Sequence, residues 1–176
     1  MRLRKLNAGI GLVSVALLLG HAILLAVWML TMGGIPKPAG IGPWILTWIT
    51  CVHAVLCIVL MIFGHKGTGG QESRQYPQLI GGTILQRLTG ILLLLFTALH
   101  VLGAAGYMQP PQLVHAIVPP LFFTISMVHV AISVTKAFIT LGIGSAKFIK
   151  VADIAVKVIC GVTLVADIVG FYLFVC

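Results

Sequence analysis

Acidic residues are almost missing from this sequence, which has three Asp and Glu against eleven Lys and Arg in 176 residues. Charged residues make up 8% of the chain and hydrophobic residues 60%, whereas roughly 25% of an ordinary soluble domain is charged. This balance excludes a soluble globular domain and predicts an integral membrane protein. Any reaction catalysed outside the bilayer would therefore be carried out by partner proteins.

Recognisable cysteine motifs are also missing. The four cysteines, Cys51, Cys57, Cys160 and Cys176, form neither a CxxC nor a CxxCH motif. This argues against a zinc site, thioredoxin-like chemistry and a covalently attached c-type haem. We expect all four cysteines to be buried thiols.

Five apolar runs are long enough to cross a bilayer, for which a helix needs about 20 residues. We place the spans at about residues 6–32, 44–63, 84–107, 112–141 and 151–175. The sequence therefore predicts an all-α integral membrane protein, in which residues 1–176 form a single transmembrane domain of five helices.

The basic residues, which give the chain a net charge of +8, stand singly at the ends of the apolar runs. They do not form a polar face interleaved with aromatic residues, so we expect no nucleic-acid partner. Ten of the eleven fall on or near one side of the predicted bundle, and Lys37 alone falls on the other. The positive-inside rule then predicts a multi-pass protein of the inner (cytoplasmic) membrane, with a cytoplasmic N-terminus and the C-terminus outside.

Each of the first four spans carries one histidine deep within its apolar run: His21, His53, His100 and His129. His115 lies near the outer end of the fourth span, where we expect it to be solvated. A single such residue is explained as well by a hydrogen bond to the next helix, but four on successive helices favour axial ligation of haem iron. We predict two non-covalent b haems. A zinc or copper site is less well supported, because such sites usually add cysteine or carboxylate ligands. A proton relay is also less well supported, because relays normally include Asp or Glu. The one intramembrane acid that we expect is Asp167, on the fifth helix.

Depth along the helices suggests how the histidines pair. At about 1.5 Å per residue from the basic helix ends, His21 and His100 fall in the outer half of the membrane and His129 in the inner half. His53 lies near mid-span and is left unassigned. Diagonal pairing in a four-helix core joins His21 to His100. It likewise joins His53 to His129, and pairing between neighbouring helices remains the open alternative.

A weak internal repeat supports grouping helix 1 with helix 2 and helix 3 with helix 4. Gly11 precedes His21 by ten residues, and Gly90 precedes His100 by the same number. Helices 2 and 4 both carry the dipeptide Val-His.

Three polar residues lie near the predicted cytoplasmic side of the bundle. Lys136 follows His129 by seven residues, so it lies on the same helix face about 10 Å nearer the cytoplasm. It is either a partner of the propionates of an inner haem or a lysine that extends to the interface. Gln86 and Arg87, at the start of helix 3, allow the same two interpretations, with interface contact preferred.

These residues form a pattern that resembles a known family: the single-subunit, two-haem cytochrome b anchors of succinate:quinone oxidoreductases and quinol:fumarate reductases. The resemblance covers nearly the whole chain. It rests on Thr89-Gly90-Ile91 through Phe96 to His100, Gly11 through Gly20-His21, Val52-His53-Ala54, and His129 with Lys136.

The resemblance implies a membrane subunit of an enzyme complex, succinate dehydrogenase or fumarate reductase, with no dicarboxylate chemistry on this chain. Its partners would be a flavoprotein subunit and an iron–sulfur subunit on the cytoplasmic face, besides membrane lipid. It also implies that His53 and His129 ligate the haem nearer that face, with Lys136 beside a propionate. His21 and His100 would ligate the distal haem.

The substrate implied by the resemblance is a membrane quinone, either menaquinone or ubiquinone. Candidate quinone-contact regions are the outer loop with Lys37 and Trp44, and the inner interface near Gln86 and Arg87. Some menaquinone-reactive members carry carboxylates near the distal haem, and this chain has no acidic residue before Glu72. A quinol-reactive cytochrome b of another dehydrogenase and a haem-free transporter or assembly factor are the alternatives.

Overall fold

A computed structural model of the chain describes residues 2–34, 41–63, 82–104, 107 and 112–175. The described residues form five α-helices: α1 (Arg2–Leu30), α2 (Ile41–Phe63), α3 (Gly82–Ala104), α4 (Gln112–Leu141) and α5 (Ala146–Val175). By length and composition, each of the five could cross a membrane. The prediction of an all-helical, multi-pass membrane protein is confirmed.

Several helix ends differ from the predicted spans. The first helix begins at Arg2 rather than near residue 6, because the basic residues continue the helix. The last begins at Ala146 rather than near residue 151. Its start is capped by Ser145, whose hydroxyl accepts a hydrogen bond from the backbone N–H of Phe148 at 3.3 Å.

A glycine turn ends α4 and leads directly into α5. The N–H of Gly142 donates to the carbonyl of Ile139 at 3.0 Å, and the N–H of Ile143 donates to the carbonyl of Phe138 at 2.9 Å. Gly142 has a φ of +76°, which a residue without a Cβ adopts at little cost. The turn brings α5 back antiparallel to α4, where the rings of Phe138 and Phe148 lie 5.7 Å apart.

Three helices supply the buried apolar side chains of the described residues. The larger buried cluster joins α1, α4 and α5 through Ala22, Met127, Val130, Val134 and Cys160. A smaller one joins the same helices through Met29, Phe123 and Phe171. The core of the bundle therefore lies among α1, α4 and α5.

The other two helices flank this core. Helix α2 packs against α1, α3 packs against α4, and contact between α2 and α3 is at most marginal. No residue of α2, which the structure describes in full, is buried. The two flanking helices therefore present most of their surface outward or towards the space between them.

The prediction that the cysteines are buried thiols is wrong for two of them. Cys160 is buried, but Cys51 and Cys57 are exposed. Both lie on α2, which packs mainly against one other helix, so most of its surface is left uncovered. Cys176 lies outside the described residues.

Candidate functional site

Two of the four histidines lie against glycines of the preceding helix. A Cβ added to Gly11 would lie 2.9 Å from Cε1 of His53, and one added to Gly90 would lie 3.2 Å from Cε1 of His129. In the α1/α2 and α3/α4 hairpins, one imidazole ring therefore lies so close to the neighbouring helix that only a glycine fits opposite it. The glycines noted in the sequence as a repeat occupy equivalent positions in the two hairpins.

These contacts arrange the four histidines in two layers. His53 is level with Gly11, which precedes His21 by ten residues, so the two imidazoles differ in height by about 15 Å along α1. The same spacing separates the level of His129 from that of His100. We call His53 and His129 the lower layer, nearer the end where α1 begins, and His21 and His100 the upper layer.

The predicted diagonal partners lie at matching levels of the bundle. His21 and His100 line one cavity, and His53 and His129 each lie about 15 Å below them along α1 and α3. Helix α1 packs against α4, whereas α2 and α3 make at most marginal contact.

In the lower layer, Thr89 contacts His129 in a way that favours one tautomer of the ring. The buried Thr89 hydroxyl donates its single hydrogen to the carbonyl of Leu85 at 2.8 Å. Its oxygen lies 3.0 Å from Nδ1 of His129, so it accepts a hydrogen bond there and Nδ1 carries the hydrogen. The other ring nitrogen, Nε2, is left with a lone pair, the form in which an imidazole binds a metal.

The other lower-layer ring, His53, has capacity to spare for a ligand. Its Nε2 lies 3.6 Å from Sγ of Cys57, which in turn contacts the amide of Asn7. Its Nδ1 is buried and has no hydrogen-bond partner among the described residues. Besides the weak thiol contact at Nε2, the ring lies beside the backbone of Asn7, but no hydrogen bond of good geometry from the described residues holds Nδ1.

The upper layer surrounds a small cavity of about 30 Å³. His21, His100 and Ser126 contribute its polar lining together with Asp167, and the rest is apolar. The ring of His100 stacks on Phe122, with ring centroids 5.1 Å apart and planes at 26°. His100 is otherwise exposed, because α3 packs against α4 and leaves its other side open.

Two turns below His129, α3 and α4 are joined by polar side chains. The ammonium of Lys136 donates to Oε1 of Gln86 at 3.0 Å, and the Gln86 amide donates to the hydroxyl of Ser133 at 3.1 Å. The structure thus places Lys136 and Gln86 together. Arg87, the other candidate here, is exposed, as an interface residue would be.

The four histidines would supply the axial ligands of two haems, one pair in each layer. Each layer offers two imidazoles from diagonal helices. In the lower layer, Nε2 of His129 is left free by the contact of Nδ1 with Thr89, and Nδ1 of His53 has no hydrogen-bond partner among the described residues. The 30 Å³ cavity is itself far smaller than a porphyrin, so a haem would have to lie between α2 and α3, which make at most marginal contact. The described residues contain no group of three or more His, Cys, Asp or Glu placed to hold a metal ion. Haem iron needs only two protein ligands.

Sequence reasoning gave no role to two residues of these layers. Asp167 was recognised as an intramembrane acid, which is by itself a sign of function, but its position beside the upper histidines could not be read from the chain. The sequence shows Thr89 only as part of the motif that leads to His100, with no sign of its contact with His129. Of the outer quinone-contact candidates, Trp44 is exposed at the start of α2, and Lys37 lies outside the described residues.

Asp153 is a second acid on a membrane-spanning helix, contrary to the expectation that Asp167 would be the only one. It lies 2.6 Å from the ammonium of Lys157, one turn further along α5, and accepts a hydrogen bond from Thr135 at 3.4 Å. Its charge is therefore paired, unlike that of Asp167.

Comparison with family models, curated proteins and solved structures found no match.

Proposed function

We propose that this chain is a di-haem cytochrome b membrane anchor. It passes electrons between a membrane quinone and the iron–sulfur and flavoprotein subunits of a succinate dehydrogenase or fumarate reductase. The observation that carries the proposal is the pair of histidine layers, about 15 Å apart along the helices. Two diagonal imidazole pairs at two depths suit electron transfer across a membrane better than they suit helix packing.

In this proposal, the histidines act as the axial ligands of two b haems, which supply one-electron redox chemistry when bound. Thr89 holds His129 with Nε2 free to ligate. Gly11 and Gly90 allow the lower rings to lie close to the neighbouring helix. Lys136 offers a positive charge two turns below His129, where it would offset the charge of the propionates.

The exposed basic side chains provide the basis for orientation and docking. The starts of α1, α3 and α5 lie at the same end of the bundle, because α4 runs antiparallel to both α3 and α5 and α1 runs parallel to α5. Exposed basic residues at this end are Arg2, Lys5, Arg87, Lys147 and Lys150. By the positive-inside rule this end is cytoplasmic, and it is where we place the iron–sulfur partner.

An optical spectrum of the purified chain tests the proposal directly. We expect a reduced α-band of b-type haem and about two haems per chain by the pyridine haemochrome assay. Replacing His100 by alanine should remove about one of them. The matched control is Val162→Ala, which shortens an exposed apolar side chain of α5 and should leave both. A haem-free wild type would disprove the cytochrome assignment.

A haem-free proton transporter is the second candidate, and one observation favours it. Asp167 lies in the same cavity as His21 and His100, so a carboxyl and two imidazoles are available for proton transfer within the membrane. The same spectrum separates the two functions. If haem is present, the next measurement is to identify the proteins that co-purify with the chain. They distinguish an anchor of succinate dehydrogenase or fumarate reductase from a cytochrome b of another dehydrogenase.

A further inference from the structure

A groove of about 540 Å³ runs along the surface between α1 and α2. Lys5, Gly9 and Val13 line it from α1, and Trp48 and Val52 line it from α2. Apart from the lysine at one end, these side chains are apolar or aromatic, and the larger ones are exposed. The groove includes no histidine, so it is separate from the two histidine layers.

The groove faces away from the interior of the bundle. Gly11 faces the interior, because it lies against the ring of His53. Gly9 and Val13 each stand two residues from Gly11, which is about 200° around the helix. They therefore lie on the far side of α1, where the surface of the hairpin would meet the lipid of a membrane.

The length of the groove matches one leaflet of a bilayer. Helices α1 and α2 form an antiparallel hairpin in which Gly11 lies beside His53. At 1.5 Å per residue, Lys5 lies about 9 Å below that level and Trp48 about 7.5 Å above it. The groove thus spans roughly 16 Å, close to half of the roughly 30 Å hydrocarbon core. It has the reach of an acyl chain that belongs to one leaflet.

Positive charge stands at one end of the groove. Lys5 lines its lower end, where α1 begins, and Arg2 precedes it by three residues on the same face of the helix. Both side chains are exposed, and neither pairs with a carboxylate among the described residues. An apolar groove with basic side chains at its membrane-surface end matches the two parts of a phospholipid with a negatively charged headgroup.

The space in the groove depends on Gly9. A Cβ added there would meet nothing within 4 Å, whereas one added to Gly11, two residues further on, would lie 2.9 Å from the ring of His53. Packing within the described residues therefore explains a glycine at position 11 but not one at position 9. The missing side chain at Gly9 leaves open space on the outer surface that a larger residue would fill.

We propose that this groove binds one anionic phospholipid of the leaflet at the end where α1 begins. One acyl chain lies along the groove, and the headgroup phosphate contacts Lys5 and Arg2. The apolar contact alone selects no particular lipid, because lipid tails are as apolar as the groove. The preference comes from charge, and each basic side chain near the membrane surface favours anionic lipid by about fivefold. The site does not depend on the proposed haems.

Native mass spectrometry tests the charge preference. The purified complex is released from nanodiscs that contain equal amounts of phosphatidylglycerol and phosphatidylcholine, and the lipids retained by the chain are identified. We expect the wild type to retain one phosphatidylglycerol. Lys5→Gln should lower the preference about fivefold and Arg2→Gln/Lys5→Gln about 25-fold, whereas Lys5→Arg should keep it. The matched control is Lys150→Gln, which removes an exposed charge on α5 and should leave this lipid bound.

Gly9→Phe tests the groove itself. The added ring should occupy the space of the acyl chain and remove the retained phosphatidylglycerol. Gly161→Phe is the matched control, because Gly161 is exposed on α5 and a Cβ there would meet nothing within 4 Å. Equal retention of both lipids by the wild type, or unchanged retention in Gly9→Phe, would overturn the inference. So would the release of a quinone or of another membrane protein by Gly9→Phe in place of the lipid.

Haem content measured on the same samples separates this site from the proposed function. Two haems without a lipid preference would overturn the lipid site alone. A lipid preference that depends on Lys5 and Gly9 in a chain without haem would support the lipid site and overturn the cytochrome assignment.

Discussion

The two histidine layers differ in how their imidazoles are held. In the lower layer, each ring lies against a glycine of the helix that precedes it in sequence, and His129 also bonds to Thr89 of that helix. In the upper layer, His21 and His100 face a cavity that includes Asp167 from α5. The lower layer is thus built within two helical hairpins, whereas the upper layer requires a fifth helix.

The two layers also differ in the residues that surround their imidazoles. Two hairpins of similar design supply the lower layer, so its glycines repeat at the same spacing before the histidines of α1 and α3. The upper layer includes the Asp167 carboxyl, neither oxygen of which has a hydrogen-bond partner among the described residues, whereas the lower layer leaves one ring nitrogen of His53 in that state. We therefore expect the lower layer to be sensitive to added volume, and the upper layer to changes in its polar groups.

The largest expected effect comes from removing histidines in pairs. The double variant His21→Ala/His100→Ala should retain about one haem, because it empties one layer only. His21→Ala/His53→Ala should retain essentially none, since each haem loses a ligand. Haem per chain by pyridine assay and the bands left in the low-temperature spectrum measure both results. If the second variant instead kept one haem, neighbouring helices would supply the pairs and the division into layers would be wrong.

Adding a methyl group to the lower glycines should come next in size. A Cβ at Gly11 would lie 2.9 Å from the ring of His53, so we expect Gly11→Ala to displace that ring at about 1–3 kcal/mol, as overpacking usually costs. Gly90→Ala should have a smaller effect at 3.2 Å. The measurement is the loss of the lower haem on mild heating.

Gly20→Ala is the matched control for the glycine variants. It lies beside His21 on α1, and a Cβ there would meet nothing within 4 Å. We expect its haem content and thermal stability to match those of the wild type. Equal losses from Gly11→Ala and Gly20→Ala would mean that general helix destabilisation, and not the ring contact, explains the effect.

The hydrogen bond between Thr89 and His129 should contribute less. Thr89→Val keeps the shape of the side chain but removes the acceptor at 3.0 Å. We expect about tenfold faster transfer of the lower haem to apomyoglobin, in the range of other partners of metal ligands. Thr89→Ser keeps the hydroxyl and should restore most of the retention. If serine and valine behaved alike, the hydroxyl would not be fixing the tautomer.

Much of the fold could be predicted because apolar runs of about 20 residues define spans whatever their packing. The ends were harder, since the start of α5 depends on the cap at Ser145 and on the positive φ of Gly142. The prediction that Cys51 and Cys57 are buried was wrong because the exposure of a side chain depends on how many helices pack around its own helix. Composition does not tell that, among the described residues, α2 packs mainly against α1.

The candidate site was predictable only as far as depth along a helix determines it. Counting residues placed His21 and His100 at one level, but it left His53 unassigned until its contact with Gly11 was known. The position of Asp167 depends on how α5 is rotated. Because α5 is apolar on most sides, its sequence does not encode the face it turns to the core. Haem ligation itself stays a prediction.

The smallest effect should come from Lys136, which acts on the lower layer through its charge. It lies about 10 Å from His129 along α4, where a unit charge contributes on the order of 1 kcal/mol. We expect Lys136→Met to lower the midpoint potential of the lower haem, because losing a positive charge disfavours the reduced form, and to leave the upper haem almost unchanged. Lys157→Met is the control, since that lysine pairs with Asp153 on α5. Equal shifts at both haems would show that Lys136 contributes to the general field of the bundle and belongs to neither layer.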